Sequence, residues 1–198
     1  MQDEIGSGQV IRAVSESLRK LIQTNITELS AEDAVVFESP AQIDAPGENK
    51  LSLFLYQLKH NPYLRNVPPR YDLTATGQPN SASVTRVEPP AIVDLIYLMV
   101  PYAKSPELEL VITDKLVNLF HNNGEIPETY LHPVLVHTDN HKIQIVADQM
   151  FDNLHHIWSG FPNKPYRFTS MYTMSPVRIP SQQKTPIDVV TSAEFSAF

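Results

Sequence analysis

Apolar and polar positions recur along this chain with two periods, and each period marks a kind of element. Ile11, Val14, Leu18, Leu21 and Ile22 share one helix face, with Arg12, Glu16, Arg19 and Lys20 off it, which predicts a helix over Gly8 to Thr24. A short strand is expected at Ala34 to Glu38. Leu51 to Leu58 reads LSLFLYQL, with Leu51, Leu53 and Leu55 on one side and Phe54, Tyr56 and Leu58 on the other. Both faces of that strand are apolar, so both are expected to be covered. Ile92 to Val100, IVDLIYLMV, has the same two-sided character, and its length and β-branched content favour a strand bounded by Pro89, Pro90 and Pro101.

Ser105 to Asn123 carries the fullest set of helix signals. Ser105 can cap, Pro106 suits the first turn, Glu107 and Glu109 suit the positive end of the dipole, and Gly124 is the expected stop. Its buried stripe is Leu108, Ile112, Leu116, Leu119 and Phe120. A short strand is expected at Lys142 to Val146. A short helix opening at Asp148 follows, with Met150, Phe151, Leu154, Ile157 and Trp158 on one face and Gly160 at its end. Tyr166 to Ile179 predicts a last long strand whose apolar phase switches at Pro176, the mark of a bulge or bend. Residues 181–198 are polar and read as a tail or arm. Strands and helices without βαβ alternation give an α+β fold, a mostly antiparallel sheet flanked by helices. One domain is expected over residues 1–180, with an arm at 181–198.

Composition narrows the function. The chain has 198 residues, a formal net charge of −7 and no cysteine. Disulfides, thiol nucleophiles and Cys-based metal sites are thereby excluded. The acidic balance argues against nucleic acid as a partner. Residues 1–50 carry −5 and residues 91–155 carry −6, whereas 51–90 and 156–198 each carry +2. The opening residues are polar and acidic, with no leader pattern, and the longest apolar run is too short to span a bilayer. No membrane insertion is expected, and the chain is expected to be cytoplasmic when made. Proline is abundant, at 17 residues, and Pro62, Pro68, Pro69, Pro79, Pro89 and Pro90 fall between His60 and Pro90. That segment reads as a long loop of the kind that often carries function.

The candidates for chemistry are sparse. His137 and His141 flank a turn-like TDN, and His155 and His156 are adjacent and point apart on a helix, so a metal site is not expected. Gly6-Ser7-Gly8 lacks a preceding strand and a Walker lysine, and no G-x-S-x-G elbow exists. Asp94, inside an apolar strand, is either a tuned carboxylate or one hydrogen-bonded to nearby backbone or tyrosine, the second reading being favoured. No enzyme activity and no cofactor are expected. Eight tyrosines, mostly at predicted strand ends and loops, suit core packing and protein contacts.

Four segments carry a resemblance. They are the run Asn49 to Leu58 followed by Asn61-Pro62-Tyr63-Leu64-Arg65-Asn66; the stretch Pro90 to Ala103 ending in VPYA; Leu116 to Asn122; and Leu154 to Tyr172, with Trp158 and Pro165-Tyr166-Arg167-Phe168-Thr169-Ser170-Met171-Tyr172. In this order they resemble the N-terminal domain type of the cap, or tail-terminator, proteins of phage-tail-like contractile injection systems, as in Photorhabdus virulence cassettes and the antifeeding prophage. The resemblance implies a tail-terminator-like fold and a structural role. It also implies a hexameric ring that sits on the last tube and sheath rings at the membrane-distal end and stops polymerisation. The implied partners are the inner tube protein, the sheath protein and further copies of the chain, in a particle that is intracellular, membrane-anchored or released. Contacts are expected from the loop His60–Pro90 and the arm Ser181–Phe198, at Tyr63, Arg65, Arg70, Tyr71, Arg86, Arg178, Lys184, Phe195 and Phe198. An adaptor that links such a particle to a membrane or host factor, without ending the tube, is the alternative.

Overall fold

The computed structural model describes residues 8–43, 47–75, 82–148, 154–161 and 164–187. Helix α1 (Val10–Asn25) buries Val10, Ala13, Val14, Leu18, Leu21 and Ile22; of the predicted stripe Ile11 is only half-buried, and Val10 and Ala13 take the inward places in that turn. Two serines also face inward on it. The Ser15 and Ser17 hydroxyls donate to the carbonyls of Ile11 and Ala13 four residues back, at 3.1 and 2.7 Å, so neither is left unpaired in the interior.

The central element is a five-stranded sheet. Its strands are β1 (Val35–Val36), β2 (Lys50–His60), β5 (Ala91–Tyr102), β6 (Gln144–Ala147) and β7 (Ser170–Ile179), in the order β1-β2-β5-β7-β6. All neighbours are antiparallel except β1 and β2. The middle strand, β5, is covered on both sides. Val93, Leu95, Tyr97 and Met99 face a core shared with α1 and with α2 (Pro106–Asn122) and α3 (Pro133–His137). Ile96, Leu98, Val100 and Tyr102 face a second core with Ile43, Met171 and the Ile157 and Trp158 side chains of α4 (Leu154–Ser159). Each fully buried leucine in this sandwich contributes about 2 kcal/mol by its removal from water.

Strand β2 is covered only over its first half. Leu51, Ser52 and Leu53 are buried, but Tyr56 and Leu58 are 41% and 40% exposed, against the expectation of cover on both faces. The phase switch in β7 is a bulge. Val93 pairs with Val177 and Leu95 with Met174, so Ser175 and Pro176 together stand opposite Asp94. Strand β7 starts at Ser170 rather than at Tyr166. At α2, the Ser105 hydroxyl accepts from Leu108 N at 3.3 Å, as a cap does. Its other end falls where expected, with Asn123 as the capping residue and Gly124 just beyond it, and the Asn123 side-chain amide donates to Leu119 O at 2.8 Å. The expected helix over 148–158 is described from Leu154 on; Met150 and Phe151 lie outside the described residues.

The segment 60–90 is not a structureless loop. It holds β3 (Arg70–Ala75) and β4 (Ala82–Val87), an antiparallel pair, and β8 (Lys184–Ile187) from the expected arm adds to β4. The order β3-β4-β8 repeats the order β2-β5-β7, and each strand is joined to its counterpart in the main sheet. Every one of the three joints carries proline: Pro62, Pro68 and Pro69 between β2 and β3, Pro89 and Pro90 between β4 and β5, Pro180 between β7 and β8. Proline has no N–H to give to a ladder, so the three middle strands are interrupted together and resume as a separate small sheet.

Candidate interaction surface

Two asparagines build the junction between the sheets. Asn61 N–H donates to Ile92 O at 2.9 Å, while its side-chain oxygen accepts from the backbone N–H groups of Tyr63 and Leu64 at 3.0 and 3.1 Å. This turn sends Tyr63, 91% exposed, and the exposed Arg65 outward. The Asn61 amide also donates to Asp94 at 2.9 Å, and Ser175 Oγ donates to the same carboxylate at 2.5 Å. Among the described residues Asp94 is therefore bonded by side chains across the bulge, not by the backbone or tyrosine expected. On the other side of β7, the buried Asn140 donates to Arg178 O at 2.8 Å and accepts from Arg178 N at 2.7 Å, pairing with a strand edge as another strand would. This is what the His137–His141 turn does, helped by the left-handed backbone of Asp139 at φ 58°.

The described interface candidates gather at this end of the molecule. Tyr63 and Arg65 lie in the β2–β3 joint, Arg178 in the last residues of β7, and Arg70, Tyr71, Arg86 and Lys184 on the small sheet. Phe195 and Phe198 lie outside the described residues. The strand register divides the sheet candidates between two faces. Tyr71 stands opposite Arg86 and Arg86 opposite Thr185; Leu73 stands opposite Val84 and Val84 opposite Ile187. On the reverse face Arg70 and Lys184 flank Val87. One face is thus largely apolar and uncovered: Tyr71 is 55% exposed, Leu73 76% and Ile187 37%. Leu73, Val84 and Ile187 were not among the sequence candidates. Their signal is the alternation in RYDLTA and ASVTRV, hidden by the surrounding prolines and polar residues.

Charge at this end is mostly spoken for. Arg70 pairs with Asp72 at 2.9 Å and Arg86 with Glu88 at 3.1 Å, each within its own strand face. Arg65 has no ion pair among the described residues.

Part of the segments that carry the resemblance turns outward, Tyr63, Tyr166 and Phe168 among them, and part turns inward and is held there. Arg167 forms an ion pair with Glu109 at 2.5 Å, and its guanidinium lies 4.9 Å over the ring of Tyr102. Trp158 donates to Thr169 Oγ1 at 3.1 Å, and Tyr172 packs on Phe120 with ring centres 4.6 Å apart. Tyr97 is fully buried, and burial pushes its phenol up to about 12 against the opposing effect of the Ser15 hydroxyl at 2.7 Å. Since Ser15 gives its proton to Ile11 O, the Tyr97 hydroxyl is the donor in that pair. Burial also raises Tyr102 and Tyr172, while the Lys115 ammonium, hydrogen-bonded to Glu28, lowers that carboxyl. Among the described residues no group of three His, Asp or Glu side chains gathers as metal ligands, and no helix is long and apolar enough to cross a membrane.

The fold and this surface define an α+β domain with a two-sided core and a projecting, uncovered sheet. The chain belongs to the Pvc16 N-terminal domain family, whose model matches residues 13–192. Among solved structures it is similar to the sheath/tube terminator of the PVC extracellular contractile injection system in its extended state, with TM-score 0.65 and 16% identity over 96% of this chain. It is also similar to the tube-terminating cap of the anti-feeding prophage, with TM-score 0.60 and 16% identity over 93% of this chain. The chain spans 65% and 60% of the length of those two proteins. No curated protein sequence matches it.

Proposed function

We propose that this chain is a terminator cap of a contractile injection particle, seated as a ring of copies on the last tube and sheath rings. The observation that carries the reading is membership of the Pvc16 N-terminal domain family over residues 13–192, joined to a fold shared with a sheath/tube terminator over 96% of the chain. A cap of this kind works by complementary surface. Copies that meet head to tail close into a ring, and such a ring ends the tube when its outer face lacks the surface on which a further tube ring would stack. Six copies, as the resemblance implies, would match the ring to its tube.

The projecting sheet suits contact better than it suits stability. Among the described residues its outer strands β3 and β8 have open edges, and an open edge can take up a strand from a tube or sheath subunit. The link 61–69 presents Tyr63 and Arg65 beside it, and the arm from Ser181 onward enters the same sheet through β8. Single-domain organisation over 1–180 with 181–198 as a contact arm belongs to this reading, as does the absence of any reaction centre.

The test is electron microscopy of particles from a strain lacking the gene. The reading expects over-long or unstable tubes. A tube-length distribution equal to that of the parent strain would overturn it and would favour the adaptor.

A further inference from the structure

The chain carries a second uncovered apolar surface, on the far side of α2. That helix buries Ile112, Leu116, Leu119 and Phe120. Its outer face repeats at the same spacing: Glu107, Leu110, Val111, Asp114 and Val117 are all exposed, with Leu110 at 64%, Val111 at 43% and Val117 at 49%. A helix apolar on both sides packs on both sides. In one chain α2 packs against β5 and α1, so the projecting sheet does not cover the outer stripe.

The two bare surfaces complement each other. The sheet face offers the row Leu73, Val84, Ile187 beside Tyr71 and Arg86, and the link that leads into the sheet carries the exposed Arg65, which has no ion pair among the described residues. The helix face offers Leu110, Val111 and Val117 framed by Glu107 and Asp114, neither of which has an ion pair among the described residues. The segment around the sheet carries +2 over residues 51–90 and the segment holding the helix carries −6 over residues 91–155.

We propose that a second copy of this chain lays the outer stripe of its α2 on the Leu73–Val84–Ile187 face of the projecting sheet. The contact is heterologous, because the two patches differ, so every copy gives one and receives one. Such a contact closes into a ring when the rotation per copy divides a full turn. The inference rests on the reading of the chain as a ring of copies, and it names the surfaces at which they meet.

The absence of cysteine makes the test clean. Full-length chains carrying Leu73→Cys and Val117→Cys, both at exposed positions, are mixed under mild oxidation and followed on a non-reducing gel. The mixture is expected to form a cross-linked dimer at least about tenfold faster than either variant alone, because docking raises the effective concentration of the two thiols. It is also expected to outpace a control mixture of Leu73→Cys with Glu32→Cys. A chain carrying both substitutions is expected to give a ladder of multimers, and adding Asp114→Lys to the Val117→Cys chain is expected to slow the product several-fold. No excess in the mixture over the control overturns the proposal, as does Leu73→Cys linking to itself equally fast. Tube length separates the two ideas. A terminator whose copies meet elsewhere would still set tube length and give no 73–117 product. A chain that gives the product but leaves tube length unchanged would keep this contact and lose the cap.

Discussion

The five-stranded sheet and the three-stranded sheet are made of the same threads. β2, β5 and β7 are joined to β3, β4 and β8, in the same order. The difference lies in what covers them. β5 is buried on both faces from Ile96 to Tyr102, whereas every described residue of β8 is exposed and Leu73 of β3 is 76% exposed. Three strands without a packed face are marginal by themselves. A protein that keeps such a sheet, and aligns Leu73, Val84 and Ile187 across it, spends apolar side chains where they add nothing to its own core. The first region explains why the chain folds; the second finds its explanation in the contact we propose for it.

This contrast breaks most readily in the core. Leu95→Ala is expected to lower unfolding free energy by about 2–5 kcal/mol, while Leu73→Ala changes it by less than about 0.5 kcal/mol, both read by urea denaturation. Equal losses would show the small sheet to be part of the core.

Alkaline pH separates the regions next. Tyr97 in the folded chain is pushed up to about 12, above its unfolded value near 10, so its contribution is fully present below pH 10 and is lost as pH rises toward 12. The loss amounts to about 3 kcal/mol at most. Burial raises Tyr102 and Tyr172 in the same direction. Tyr97→Phe is expected to flatten the pH dependence between 10 and 12, whereas Leu73→Ala, on the exposed sheet, leaves it as it is; melting curves across that range decide.

Smaller effects sharpen the boundary at the junction. Asn61→Ala removes a donor to Asp94 and the turn acceptor for Tyr63 and Leu64, with an expected cost of about 1–3 kcal/mol in a denaturation experiment. Lys115→Ala removes the more open pair with Glu28 and is expected to cost under about 1 kcal/mol, less still in high salt.

The core was legible because its signals are periodic and local. The α1 stripe, the Ser105 cap and the two-sided β5 follow from spacing alone. The small sheet was not, because the prolines that separate it from the main sheet also look like loop-makers, and RYDLTA and ASVTRV are only six residues each. Gly124 marked the helix end but not its geometry: it has no left-handed backbone, and Asn123 caps Leu119 O with its side-chain amide instead. Of the candidate surface, residue type was readable at Tyr71 and Arg86. Which face they share, with Leu73 beside them, depends on the β3–β4 register, and the row is completed by β8 from the far end of the described chain. Likewise the motif residues Arg167, Thr169 and Tyr172 were plain in the sequence, but their pairing with Glu109, Trp158 and Phe120 comes from tertiary structure.

The central claim is that the projecting sheet is built for assembly and not for folding. The most direct measurement is the tube-length distribution of particles whose chain carries Tyr71→Ser and Leu73→Ser together, with the purified variant melted in parallel. The account predicts an unchanged melting temperature and over-long or unstable tubes. Parental tube lengths in a variant that melts normally would contradict it.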